Sequence, residues 1–148
     1  MITFEDVQDA YARIKDATIR TPTVKAARLS VRLGIDLYLK LENLQHTNAF
    51  KGRGALNKLL SLTEDEKKKG VIALSRGNHA QGVAYHASRL GIPAIIVMPE
   101  GTPFNKIKKT EDFGAKVVLR GRDLVESNKE VQRLIKEKGF TYIHPYDD

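Results

Sequence analysis

The chain has 148 residues, no cysteine and a formal net charge of +7. Its length fits one domain with a core of ordinary size, and the lack of cysteine excludes disulfides, thiolate metal sites and a thiol nucleophile. No stretch approaches the ~20 apolar residues of a membrane span, and the acidic N-terminal segment argues against a secretory signal. We therefore expect a cytoplasmic protein with no membrane partner.

The positive charge does not follow the pattern of a nucleic-acid interface. The basic run 67–69 directly follows the acidic run 64–66, and aromatic residues make up only 7% of the chain. They are not interleaved with the basic runs, as a platform for base stacking requires. We predict no nucleic-acid partner, since a basic protein suits anionic small molecules equally well.

The first third of the chain predicts a few separate elements. Thr3 is suited to cap a first helix, which Thr21-Pro22 brings to an end. A short amphipathic helix is predicted over 26–33, closed by glycine. Apolar and polar residues alternate over 37–41, which predicts a strand.

From residue 50 onward, helical patterns alternate with short apolar runs. Helices are predicted over 50–62, 80–90, 104–113 and 123–138, and strands over 71–74, 94–98 and 116–119, with a fourth strand beginning at 142. Continuous apolar runs are typical of strands buried on both faces of a parallel sheet. The pattern predicts an α/β fold, a parallel sheet of about four strands with helices on both faces in three αβα layers.

In such a sheet, ligands bind where strands end and helices begin. Of the three loops at that edge, 75–79, 99–103 and 120–123, the first carries the most chemistry: Ser75-Arg76-Gly77-Asn78-His79. Its glycine permits close backbone approach, and the free N–H groups of the following helix favour a carboxylate or phosphate. The residues alone support an anion site and a plain helix-capping turn equally, and they do not form a dinucleotide-binding motif.

Lys51 is the second candidate, at the start of a predicted helix. A helix N-terminus disfavours a cation, and an amine nucleophile must be neutral. Spacing alone nevertheless favours an ordinary solvated lysine. His79 and His86 share a predicted helix, but no third ligand completes a set with them, so we predict no metal site.

Together these motifs resemble the fold-type II pyridoxal-phosphate enzymes, in particular the branch of threonine dehydratase and serine racemase. The resemblance rests on the segments 40–47, Phe50-Lys51, 53–55 and 77–82, with Thr21-Pro22, Met98-Pro99 and His144-Pro145 in matching order. It covers essentially the whole chain.

The resemblance implies a role for each candidate residue. Lys51, preceded by Phe50, would form the Schiff base with pyridoxal 5'-phosphate. Asn78 would lie against the ring hydroxyl of that cofactor. The loop of Ser75, Arg76, Gly77, Asn78 and His79 would hold the carboxylate of an amino-acid substrate. Residues 1–45 would belong to the larger domain of the full-length family, and residues 46–148 would form the smaller domain.

The sequence also departs from the family pattern. Family chains are more than twice as long, and their glycine-rich phosphate loop has no counterpart in these 148 residues. The family usually has Gly and Ser where this chain has Asn48 and Ala49, and Gly52, Leu74 and Arg76 also differ from the usual residues. Because these differences cluster at the cofactor loops, they predict a site that was altered by design or released from its original task.

Two hypotheses follow from the sequence. The first is part of a pyridoxal-phosphate-dependent lyase or racemase for a hydroxy amino acid, with little or no native activity in this chain alone. The second is an engineered or reconstructed α/β scaffold or binding domain without catalysis. Under both, apolar surface that would face the larger domain predicts a homo-oligomer.

Overall fold

The strands and helices follow the alternation that the sequence predicts. The computed structural model describes residues 1–147. The helices are α1 (Phe4–Ile14), α2 (Ala27–Leu33), α3 (Lys51–Ser61), α4 (Glu64–Lys69), α5 (Asn78–Arg89), α6 (Phe104–Asp112) and α7 (Leu124–Lys138). The strands are β1 (Thr23–Lys25), β2 (Tyr38–Lys40), β3 (Val71–Leu74), β4 (Ala94–Met98), β5 (Lys116–Leu119) and β6 (Thr141–Tyr142).

Four strands form one parallel sheet in the order β5-β4-β3-β6. The register places Ile72 beside Ile95 and Ile96 beside Val117. The predicted parallel sheet is therefore confirmed, and the carboxyl ends of its strands meet at one edge.

Helices cover both faces of this sheet, because successive side chains of a strand point to opposite faces. Ile72 and Val97 pack with Val131 of α7 on one face. Val71 and Ala73 of β3, and Ile96 and Met98 of β4, pack against α5 on the other face, where Val83 and Ala87 are buried. The three αβα layers predicted from the sequence are confirmed, with α3 lying against α5.

The N-terminal third forms a separate ribbon and two helices. Strands β1 and β2 pair antiparallel, with Val24 beside Leu39, apart from the main sheet. The sequence predicted β2 but missed β1, since three residues after a proline show no periodicity. Thr3 caps α1 through a reciprocal capping box with Asp6, as predicted. The predicted division between residues 45 and 46 stays a prediction.

Within residues 1–147, the helices are too short or too polar to cross a membrane.

Candidate active site

Every residue that the sequence singled out for the site lines one open cleft at the carboxyl edge of the sheet. The cleft has a volume of about 780 Å³, within the usual range for small-molecule sites. The predicted residues along it are Phe50, Lys51, Ser75, Arg76, Gly77, Asn78 and His79. The fold thus brings the start of α3 next to the loop between β3 and α5.

A close crossing of α3 and α5 places Lys51 at this cleft. A Cβ added to Gly82 on α5 would lie 3.1 Å from the backbone nitrogen of Gly52 and 3.2 Å from the carbonyl carbon of Lys51. Such contacts are tighter than nine in ten real Cβ contacts, so a larger residue at 82 would push the two helices apart by a few tenths of an ångström. The first turn of α3 therefore rests directly on the backbone of α5.

The amine of Lys51 is held by the segment that follows β6. Its Nζ donates a hydrogen bond to the carbonyl oxygen of Pro145 at 2.6 Å. The same Nζ lies 4.7 Å from the ring centroid of Tyr146 and 5.4 Å from that of Phe50, within range of cation–π attraction. A carbonyl ligand of the amine would have to displace the Pro145 contact.

The loop after β3 presents hydrogen-bond donors to the cleft. The N–H of Gly77 donates to Ser75 Oγ at 3.2 Å, which forms a tight turn before α5. A Cβ on Gly77 would meet no atom within 4 Å, so this backbone faces open space. Asn78 begins α5 and is exposed, as is Arg76. The positive end of a twelve-residue helix therefore faces the cleft, which suits an anion.

His79 ties this loop to β6. Its ring is buried, and Nε2 lies 3.0 Å from the carbonyl oxygen of Ile143. The N–H of Ile143 in turn donates to the carbonyl of Ile72. This side chain thus fixes the segment that carries Pro145, whereas its predicted part in substrate binding stays a prediction.

Arg53 takes no part in the cleft lining. It donates to both oxygens of Glu42, at 2.8 and 2.9 Å. These hydrogen bonds from Arg53 lower the pKa of Glu42 to about 2. The charge of Arg53 is balanced by the Glu42 carboxylate, so Arg76 is the arginine positioned to act on a ligand in the cleft.

Sequence reasoning missed two walls of the cleft. One is the segment after β6, and the other is the first part of α7, which contributes Leu124, Val125, Asn128 and Gln132. Both follow strand ends at the same edge of the sheet as the 75–79 loop. The topology rule did select the 120–123 loop that leads into α7, and it applies equally to the segment after β6.

Residues 1–147 contain no group of three or more His, Asp or Glu side chains that could hold a metal ion.

Comparison with known proteins agrees with this fold. A profile of the pyridoxal-phosphate dependent enzymes matches residues 14–148. The catabolic L-threonine dehydratase TdcB of Staphylococcus aureus is 48% identical over 149 aligned residues, which cover all of this chain and 43% of that protein. The chain therefore spans less than half the length of this relative.

Solved structures share the fold of this chain. The serine racemase of Dictyostelium discoideum superposes with a TM-score of 0.92 at 34% identity, over 99% of this chain and 48% of that one. Threonine deaminase isoform 2 of Solanum lycopersicum has a TM-score of 0.90 at 42% identity, over 98% of this chain and 43% of that one. The chain belongs to the family of pyridoxal-phosphate dependent enzymes.

The residues of the cleft fit the cofactor of this family in part. The amine of Lys51 matches the aldehyde of the cofactor. The open backbone turn and the N-terminus of α5 match an anionic ligand. Aromatic rings of Phe50 and Tyr146 flank the amine. Among the described residues that line the cleft, Arg76 is the one arginine that could bind the phosphate.

Proposed function

We propose that this chain carries the cofactor-binding lysine and the substrate-carboxylate loop of a pyridoxal-phosphate-dependent lyase that resembles threonine and serine dehydratases. The observation that carries the proposal is the meeting of Lys51 and the Ser75–His79 loop in one cleft. The names of the threonine dehydratase and serine racemase relatives support a hydroxy amino acid as substrate.

Each part of the cleft has a defined task in this proposal. Lys51 would hold the aldehyde group of pyridoxal phosphate through Nζ, and Asn78 would hold the ring hydroxyl. When bound, the cofactor supplies an electron-withdrawing ring that stabilises negative charge at the substrate α-carbon, so that the β-hydroxyl can leave. The backbone N–H groups of the loop and Ser75 Oγ orient the substrate carboxylate.

The rings of Phe50 and Tyr146 lie within cation–π range of the Lys51 amine, and the carbonyl oxygen of Pro145 accepts its hydrogen bond. These contacts hold Nζ at the wall of the cleft, where it would bond to a carbonyl carbon and exchange a proton with the substrate.

We propose that cofactor affinity and native activity are low in this chain alone. A phosphate carries close to two negative charges. Among the residues that the structure describes along the cleft, the arginine available to bind it is Arg76, which is exposed. An exposed ion pair is weak and is screened by salt. Added salt should therefore weaken binding.

Absorbance spectra test this function. We expect a new absorbance band when pyridoxal phosphate is added to the chain. The band should be absent in Lys51→Ala, and borohydride should make the adduct of the original chain permanent. Keto-acid formation from L-threonine and L-serine should be slow or undetectable. A spectrum that is identical for the chain and for Lys51→Ala would overturn the proposed role of Lys51.

The second candidate is a non-catalytic scaffold or binding domain, engineered or reconstructed, that associates with itself. Its self-association would use exposed apolar side chains of the N-terminal segment, among them Phe4, Val31, Leu33 and Tyr38. A chain that binds no pyridoxal phosphate and still forms a stable homo-oligomer would support this candidate over the first.

A further inference from the structure

A second residue of α5, one turn after Gly82, lies against the start of α3. His86 is buried, with 3% of its surface exposed. Its Nε2 lies 3.3 Å from the point where a Cβ on Gly52 would stand. The imidazole therefore occupies the space of a side chain at residue 52, directly beside Lys51.

A buried hydroxyl faces the same point. Thr47 Oγ1 lies 3.4 Å from that Cβ position. The atom is fully buried and has no hydrogen-bond partner among the described residues. An unsatisfied buried hydroxyl costs about 1–3 kcal/mol, so native proteins rarely leave one without a partner.

The imidazole of His86 supplies an acceptor close to this hydroxyl, within reach of one bridging water. Burial lowers the pKa of His86 to about 4, and the nearby charges of Arg89 and His46 act in the same direction. The ring is therefore neutral at pH 7, with one ring nitrogen free to accept a hydrogen bond.

We propose that His86 is a positioning residue for Lys51, joined to Thr47 through one buried water: Thr47 Oγ1 donates to the water, and the water donates to Nε2 of the imidazole. Thr47 lies four residues before the lysine and Gly52 one residue after it. The contact thus fixes the chain on both sides of Lys51 against α5. Its importance for catalysis rests on the proposed function, whereas its effect on the amine does not.

The test measures the amine without pyridoxal phosphate. The chain is reductively methylated with formaldehyde and cyanoborohydride, and the rate at Lys51 is divided by the rate at exposed Lys136 on α7. We expect Thr47→Val and His86→Leu each to raise this ratio about fivefold. With the start of α3 loosened, the Lys51 amine leaves its hydrogen bond to Pro145 more often. A hydrogen bond worth ~1 kcal/mol corresponds to a change of this size. The double variant should not exceed the larger single effect.

Conservative variants and a core control separate positioning from plain stability. Thr47→Ser and His86→Gln keep the hydroxyl and an acceptor, and should return the ratio to within about twofold of the original. Val131→Ala, in the core on the other face of the sheet, destabilises the fold and should leave the ratio unchanged. Nitrogen NMR of the unsubstituted chain should find Nε2 of His86 unprotonated.

Three results would overturn the proposal. These are ratios for Thr47→Val and His86→Leu within twofold of the original, an equal rise in Val131→Ala, or a proton on Nε2 of His86. Because formaldehyde replaces the cofactor, failure here is distinct from failure of pyridoxal phosphate to bind.

Discussion

Asn48 holds a backbone conformation that few side chains tolerate. Its φ is 59°, the single positive φ at a non-glycine residue among those described. Asparagine tolerates this region because its short side chain bonds locally, here through Nδ2 to the carbonyl oxygen of Asn43 at 3.2 Å. The family's usual glycine at this position suits the same conformation.

Substitution at Asn48 should therefore depend on backbone freedom rather than on size. We expect Asn48→Gly to change the free energy of unfolding by less than about 0.5 kcal/mol, and Asn48→Val to lower it by ~1–2 kcal/mol. Urea unfolding of the three chains measures the difference. Equal stability of the Val and Gly variants would contradict the account.

The Glu42 carboxylate stabilises the region just before the site in a pH-dependent way. Hydrogen bonds from Arg53, and from Thr21 Oγ1 at 2.6 Å, hold its pKa at about 2 in the fold. A carboxyl group with a lowered pKa contributes stability that is present above its unfolded pKa and is lost as the pH falls toward the folded pKa. The loss therefore lies between about pH 5 and pH 2.

Urea unfolding at pH 7 and pH 3 tests this contribution. The chain should lose on the order of 1–2 kcal/mol more than Glu42→Gln over this interval. The glutamine variant is the matched control, since it keeps the size of the side chain and cannot titrate. An equal pH dependence in both would place the acid sensitivity elsewhere.

The crossing of α3 and α5 makes two glycines respond in opposite ways to the same substitution. A Cβ at Gly82 would lie 3.1 Å from the backbone nitrogen of Gly52, whereas one at Gly54 would meet nothing within 4 Å. We expect Gly82→Ala to destabilise the fold by ~1–3 kcal/mol through overpacking. Gly54→Ala should stabilise α3 by ~0.5–1 kcal/mol.

Thermal melts of the two variants measure this contrast on the same pair of helices. Gly82→Ala should also change the Lys51 methylation ratio, because the lysine moves with the first turn of α3. If Gly82→Ala and the original chain had the same melting temperature, α3 would not rest on α5 as closely as in this structure.

The elements could be predicted where the chain marks their ends. Glycines after α5, α6 and α7 and continuous apolar runs in β3 and β4 gave the helices, the strands and the parallel sheet. Strand β1 lacked such a pattern, because its side chains are exposed and its pairing depends on β2, thirteen residues further along.

The sequence could predict which residues line the cleft, but few of the contacts between them. Motif resemblance and the strand-end rule brought Lys51 and the Ser75–His79 loop together. The contacts of Lys51 with Pro145 and Tyr146 join residues more than ninety positions apart, which no local pattern encodes. The balance of Arg53 by Glu42 likewise emerges only once the chain is folded.

At the scale of the whole molecule, apolar surface is concentrated in the N-terminal third. Phe4 and Val7 on α1, and Val31 and Leu33 on α2, are more than half exposed. Contiguous exposed apolar surface favours association. We expect a homo-oligomer, most simply a two-fold dimer.

Sedimentation at increasing protein concentration tests this expectation. Val31→Ser with Leu33→Ser should weaken the association, whereas the exposed polar change Lys136→Ser should not. If the protein sediments only as a monomer at high micromolar concentration, this surface does not drive association and remains exposed to solvent.

The most direct test of the central claim is the position of the label after pyridoxal phosphate is added and reduced with borohydride. Peptide mapping should find the reduced adduct concentrated on the peptide that contains Lys51, and the adduct should be lost from that site in Lys51→Ala. Label spread evenly over surface lysines, and unchanged in Lys51→Ala, would mean that Lys51 keeps the family's sequence without its chemistry.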